Sequence, residues 1–214
     1  MVKLLIVDDH HIVRAAVSKM LADEEWIEIA GEAGSGEEAV AMARELEPDV
    51  VLMDIKMQGI GGLEATRKIV RMLPDCKVIA LSALIEETFA TRALEVGASG
   101  YLSKGTDPAE MVNAIRQVHH GQRYLSSEIA QKVALSRMSP GNENPFDGLS
   151  DRELQIALMV VNCQKVSDIS DKLFLSPKTV NTYRYRIFDK LQVSSDVELT
   201  HLAIRHKMID TESL

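Results

Sequence analysis

Cysteine is scarce in this chain, with Cys76 and Cys163 the two among 214 residues. Their spacing fits neither a disulfide framework nor a cysteine-based metal site, and both are expected to be buried free thiols in a reducing compartment. Long apolar runs are also lacking. None approaches the roughly 20 residues that a helix needs to cross a bilayer, so no membrane partner is expected. The N-terminus enters a strand-like segment without a signal-peptide pattern, which points to a cytoplasmic protein. Internal repeats, coiled-coil heptads and low-complexity tracts are absent. So is any excess of positive charge, the net charge being −8. The imbalance is local: residues 1–147 carry 15 Lys+Arg against 23 Asp+Glu, and residues 148–214 carry nine of each. A nucleic-acid site, if the chain has one, therefore belongs in the C-terminal third, where the repulsion is absent.

What is present is an alternation. Short apolar runs fall at Lys3–Val7, Ile27–Ala30, Val50–Met53, Lys77–Leu81 and Gly100–Leu102. Amphipathic stretches at 11–23, 36–46, 62–72, 86–96 and 107–119 follow them in turn. Continuous Val/Ile/Leu runs suit strands buried on both faces, so five strand–helix units predict an α/β, doubly wound, five-stranded parallel sheet of flavodoxin-like type. Ser35 and Asp107-Pro108 read as helix starts and Gly97 as a stop. From Gly121 the pattern changes: a helix is expected over about 127–137, then SPGNENPFDG reads as linker. The expected division is residues 1–120, a helix-containing linker over 121–147, and a small all-α domain over 148–214.

In a doubly wound sheet, ligands bind beyond the carboxyl ends of the strands. Here those ends carry Asp8-Asp9, Asp54, Ser82 and, after the fifth strand, Lys104. Three carboxylates in one crevice repel unless a cation joins them, and oxygen ligands favour a hard ion, Mg²⁺ fitting best. Lys104 adds a fixed cation and Ser82 a hydroxyl. Together they would stabilise a phosphoryl group carried by an aspartate nucleophile.

In the C-terminal third, Ser150 with Glu153 forms a capping-box pattern before a helix to about residue 162. A second helix is expected over 164–173. After a short turn, Ser176 and Pro177 begin a third helix reaching about Leu191. Val180, Ile187 and Leu191 form its inward stripe, with Lys178, Asn181, Thr182 and Tyr185 on the opposite face and Arg184 and Arg186 flanking. Asn and Tyr suit base edges and the cations suit phosphates, in the geometry of a helix-turn-helix. Protein contacts are a second use of such a helix pair. The last helix, about 196–207, presents Val197, Leu199, Leu202, Ala203 and Ile204, mostly as core.

The first 120 residues resemble the receiver domain of bacterial two-component response regulators. The resemblance implies an acidic metal pair at Asp8 and Asp9, phosphorylation of Asp54, and a metal ligand at the Lys56 backbone carbonyl. It also implies a switch hydroxyl at Ser82 coupled to a switch aromatic at Tyr101, and a phosphate contact from Lys104. Residues 148–209, through LS-x-RE and ISDKLFLSPKTVNTYRYRIFDKL, resemble the LuxR-type (NarL/FixJ) DNA-binding domain. That likeness implies DNA contacts by Lys178, Thr179, Asn181, Thr182 and Tyr185, with Arg184 and Arg186 as further candidates, and a dimer contact by the last helix.

GIGGLEATRK, GYLSKG, GQRY, SPKTVNTYRYRIF and DVELTHLAIRH together resemble the GacA/UvrY/VarA branch. This implies a transcription factor and not an enzyme. Its expected partners are a hybrid sensor histidine kinase of BarA/GacS type and a two-fold promoter site bound as a homodimer on activation. Its expected targets are genes for small regulatory RNAs. Four positions depart from the common pattern: Gln58 where receivers usually place proline, Ser82 where threonine is commoner, and Asn181 and Tyr183 where many relatives have lysine and histidine. An aspartate-nucleophile phosphatase is the competing enzyme reading, but it usually needs a second aspartate where Lys56 stands. A constitutive DNA binder with a degenerate receiver is the other, and the intact Asp8, Asp9, Asp54 and Lys104 speak against it.

Overall fold

The computed structural model describes residues 1–82, 87–138, 144–206 and 208–209. Residues 86 and 207, at expected helix ends, and the 139–143 stretch of the expected linker lie outside them. The chain divides into two compact units, Met1–Met138 and Ser139–Leu214.

The first unit alternates strand and helix: β1 Val2–Val7, α1 His11–Leu21, β2 Ile27–Ala33, α2 Gly36–Leu46, β3 Val50–Asp54 and α3 Gly61–Met72. Then follow β4 Lys77–Ser82, α4 Glu87–Glu95, β5 Gly100–Ser103, α5 Pro108–His119, β6 Tyr124–Leu125 and α6 Ser127–Met138. The strands order as β2-β1-β3-β4-β5-β6, and every pair is parallel. Side chains alternate across each strand. Leu4, Ile6, Leu52, Ile79 and Leu102 therefore pack with α5 and Leu21 of α1. Leu5, Val7, Val51, Met53 and Val78 pack with α2 and α3. This double burial is why the strands read as unbroken apolar runs.

The sheet has six strands where the sequence pattern predicts five. Tyr124 and Leu125 pair with Gly100 and Tyr101 at the far edge. Two residues are too short to show a period of two, so pattern analysis leaves them in a loop. The first unit also takes in α6, whose Ile129 and Val133 are buried.

Local signals place the helices. Ser35 Oγ accepts from Glu38 N–H at 3.2 Å to start α2, and Asp107 accepts from Ala109 N–H at 2.9 Å to start α5. Gly97, at φ +105°, ends α4. At Gly62 a Cβ would overlap the Asp54 carbonyl oxygen, so only glycine lets α3 start this close to the end of β3.

The second unit is helical: a single 3₁₀ turn, Pro145–Gly148, then α7 Asp151–Val161, α8 Val166–Leu173, α9 Pro177–Leu191 and α10 Asp196–Arg205. Leu154, Ala157, Ile169, Val180 and Ile187 are among its buried residues. Phe146, read from composition as linker, is fully buried there. Cys76 is buried as expected but Cys163 is exposed. Cys163 follows α7 at φ 57°, in the reversal that carries the chain out of the core.

Candidate functional site

Reversal of winding direction at β1 and β3 opens a crevice beyond their carboxyl ends. Val7 of β1 pairs with Met53 of β3, so Asp8 and Asp54, the next residue on each strand, stand side by side. Both are almost wholly buried, at 2% and 1% exposure. Lys104 follows β5 and reaches back across the sheet, held by its N–H to the Ser82 carbonyl at 2.8 Å. Its ammonium lies 2.6 Å from Asp8 Oδ2 and 2.8 Å from Asp54 Oδ2. The other Asp54 oxygen, Oδ1, accepts from Lys56 N–H at 3.1 Å.

Burial raises the Asp54 pKa, and it outweighs the opposing pull of Lys104; the Asp8 charge adds to the rise. Burial by itself would lower the Lys104 pKa, but the charges and hydrogen bonds of Asp54 and Asp8 carry it upward. The ammonium is thus held charged by the two carboxylates, which repel one another and which it only partly neutralises.

Asp9, His10, Asp8 and Asp54 offer ligand atoms within 4.8 Å of one another. Asp8 Oδ2 and Asp9 Oδ1 are buried and lack a well-aligned hydrogen bond, although Lys104 Nζ and His10 Nδ1 stand 2.6 and 2.8 Å away. Oxygen-rich donors with unspent lone pairs fit a hard divalent cation such as Mg²⁺. Nothing in the sequence points to His10, because a histidine after an acidic pair carries no distinctive spacing.

Arg14 is likewise without a sequence pattern that marks it. From α1 its Nη1 donates to the Asp8 carbonyl at 2.5 Å, and its Nε donates to Glu32 at 3.2 Å. It therefore ties the acidic loop to the end of β2. Lys56 lays its ammonium over the Phe89 ring, 4.7 Å from the centroid. Ser82 is fully buried at the end of β4, paired in register with Ser103. Tyr101 is fully buried in β5 beside Ala80, so its ring lies inside the fold.

The second constellation sits on α9. Ser150 and Glu153 make the capping box that starts α7. Glu153 also accepts from Lys190 of α9 at 2.7 Å. Two side chains anchor the three-residue turn between α8 and α9, one just before it and one at its middle residue. Arg152 donates to the Leu173 carbonyl at 2.8 Å, and Ser170 donates to the Leu175 carbonyl at 2.6 Å. Phe174 takes the left-handed conformation there, at φ 52°, and Ser176 Oγ caps α9 by accepting from Thr179 N–H at 3.1 Å.

Val180, Ile187 and Leu191 of α9 are buried, while Lys178, Thr182, Tyr185 and Arg186 are exposed along its outer face. Tyr185 is 73% exposed. Thr179 and Asn181 are half-buried. The α9 residue Arg184 is drawn elsewhere. Its guanidinium meets both oxygens of Asp196 at 2.7 and 2.6 Å and donates to Asn181 at 3.2 Å. On α10, Leu199 and Ala203 are buried, while Val197 and Ile204 are exposed.

Residues 4–116 match the family model described as the response regulator receiver domain, and residues 147–203 match that of the luxR family of bacterial regulatory proteins. The chain is 60% identical over 214 residues to response regulator GacA of Pseudomonas syringae pv. syringae, covering 100% of both chains. It is 54% identical over 215 residues to response regulator UvrY of Escherichia coli, covering 100% of this chain and 99% of the relative. Among solved structures, RcsB from Salmonella enterica serovar Typhimurium, bound to promoter rprA in the presence of the phosphomimetic BeF3−, shares the fold. Its TM-score is 0.68 at 22% identity, over 94% of this chain and 97% of that one.

Proposed function

The chain belongs to the two-component response regulators that join a receiver domain to a LuxR-type DNA-binding domain, and we propose that Asp54 is its phosphoacceptor and α9 its DNA-reading helix. It is a transcription regulator of the GacA/UvrY kind, in a family that is generally not enzymatic. The observation that carries the site is the Lys104 ammonium between Asp8 and Asp54 at the mouth of the sheet.

In the transfer step an Asp54 carboxylate oxygen attacks the phosphorus of a phosphohistidine on a sensor kinase. The phosphorus–nitrogen bond breaks and the imidazole leaves. Lys56 N–H holds one Asp54 oxygen, which orients the other toward the incoming phosphorus. Lys104 shifts from its carboxylates to a phosphoryl oxygen, and Ser82 donates to another. Asp8, Asp9, Asp54 and the Lys56 backbone carbonyl would hold a Mg²⁺ ion, which when bound would supply charge neutralisation for the phosphoryl group. Contact with the phosphoryl group draws Ser82 toward it and favours one packing of Tyr101 over another, a shift of populations.

The receiver spans residues 1–120, with a helix-bearing linker over 121–147 and the DNA-binding domain over 148–214. On DNA, Lys178, Thr179, Asn181, Thr182, Tyr185 and Arg186 make the contacts. Arg184 braces α9 through Asp196. The protein acts in the cytoplasm, and phosphorylation favours a homodimer on a two-fold promoter site. The kinase is of the hybrid BarA/GacS type and the targets include small regulatory RNA genes, both supported by the identity to GacA and UvrY. Genome-wide mapping of binding sites with wild type and Asp54→Asn tests the whole reading. Equal occupancy by the two would overturn phosphorylation control, and absence of discrete sites would overturn DNA reading.

A further inference from the structure

The loop from Ile55 to Ile60 carries the Lys56 carbonyl and includes Gln58, which is exposed. A proline there would fix one backbone torsion and narrow the conformations open to the loop. Glutamine imposes no such restraint. The loop is nevertheless pinned. Ile55 N–H donates to the Leu81 carbonyl at 3.0 Å, and Gly62 N–H donates to the Ile55 carbonyl at 3.1 Å. Between these anchors, Ile60 N–H donates to Glu37 Oε1 at 3.0 Å.

Glu37 lies 23 residues away in sequence, in the first turn of α2. An acid in a first helical turn ordinarily faces solvent and favours the helix dipole. This one is turned onto the loop: a Cβ built on Gly59 would stand 2.6 Å from Glu37 Oε1. Gly59 itself sits at φ +71°. The start of α2 is pressed against the same segment, since a Cβ on Gly36 would meet Ile60 Cγ1 at 2.8 Å and the Gly61 carbonyl at 3.0 Å. Carboxylate and backbone N–H form a charge-assisted bond, stronger than a neutral one.

We propose that Glu37 is a positioning residue for the phosphoacceptor loop, its hydrogen bond to Ile60 supplying the restraint that a proline at position 58 would otherwise give. The inference rests on the reading of Asp54 and the Lys56 carbonyl given above. Glu37 touches neither the phosphoryl group nor the metal. It acts by holding the Lys56 carbonyl where a divalent cation can use it.

The test uses the full chain, with MgCl₂ titrated calorimetrically, acetyl phosphate as phosphodonor and thermal melting as a fold control. Glu37→Ala should weaken Mg²⁺ binding and slow phosphorylation by roughly three- to tenfold, the scale of one net hydrogen bond, with melting little changed. Glu37→Gln keeps an acceptor oxygen and should retain most of both. Adding Gln58→Pro to Glu37→Ala should restore both, while Gln58→Pro alone should change little. Unaltered Mg²⁺ affinity and rate in Glu37→Ala would overturn the inference. So would equal losses in Glu37→Gln, which would make the effect one of charge, or failure of the proline to restore. Phosphorylation of Asp54→Asn, or no Mg²⁺ binding by wild type, would instead overturn the underlying site reading.

Discussion

Arg184, in the middle of α9, grips both carboxylate oxygens of Asp196 at the first position of α10. The pair fixes α9 against α10, the last helix of the same unit. Arg184→Ala should lower stability by about 0.2–1 kcal/mol, the range for partly exposed pairs. Combined with Asp196→Ala it should cost less than the sum of the two single changes. Hydrogen exchange of α10 amides reads this. The salt dependence of DNA binding should stay unchanged, which separates a brace from a phosphate contact.

Lys178 and Arg186 are exposed on the outer face of α9. If each neutralises a phosphate, alanine at either should flatten the slope of log affinity against log salt by about 0.9 per site contact. Affinity should fall on every sequence alike. Tyr185→Ala and Asn181→Ala should instead alter which bases are preferred. Binding isotherms at several salt concentrations on matched and mismatched sites distinguish the two classes.

Asp8 and Asp54 are buried acids facing one ammonium. A divalent cation that binds the folded site and not the unfolded chain stabilises the fold by mass action. Mg²⁺ should therefore raise the melting temperature of wild type in a concentration-dependent way, and chelation should reverse it. Asp54→Asn should reduce that rise and abolish phosphorylation by acetyl phosphate. An unchanged Mg²⁺ response in that variant would remove Asp54 from the ligand set.

The thiols should differ sharply. Burial pushes the Cys76 thiol up to about 12, whereas Cys163 is exposed. A maleimide at neutral pH should modify Cys163 in the native protein and reach Cys76 only on unfolding, because the thiolate is the reacting species. Mass spectrometry of peptides after timed labelling checks the order.

Glu153 gives the second unit an acid-sensitive joint. Burial alone would raise its pKa, but hydrogen bonds from Lys190 and Ser150 outweigh burial and lower it. A carboxyl with a lowered folded pKa contributes stability above the ordinary carboxylate range and loses it as pH falls through the folded value. Hydrogen-exchange protection of α7 should therefore drop on the acid side. Glu153→Gln should flatten that dependence and cost about 1 kcal/mol near neutrality, discounted because Lys190 is partly exposed.

Most helices were legible because their signals are local. Ser35, Asp107, Ser150 and Ser176 all cap the helices they were expected to start. The sixth strand was not legible, because Tyr124 and Leu125 become a strand through the edge that β5 offers them. Arg14 was hidden because an arginine in α1 has no pattern that points to the Asp8 carbonyl. Arg184 looked like its neighbour Arg186 in sequence, and the packing of α10 beside α9 separates them.

The sequence by itself determined the alternation of apolar runs and amphipathic helices, and with it acids, a hydroxyl and a lysine at successive strand ends. Those features follow from burial on both faces of each strand and from capping, which act within a few residues. Strand order and register belong to the tertiary structure. They set Asp8 beside Asp54, bring Lys104 from 50 residues on to lie between them, and lay Glu37 of α2 against the loop that carries Gln58. Such contacts join segments far apart in the chain, and no local pattern of residues encodes the distance between them.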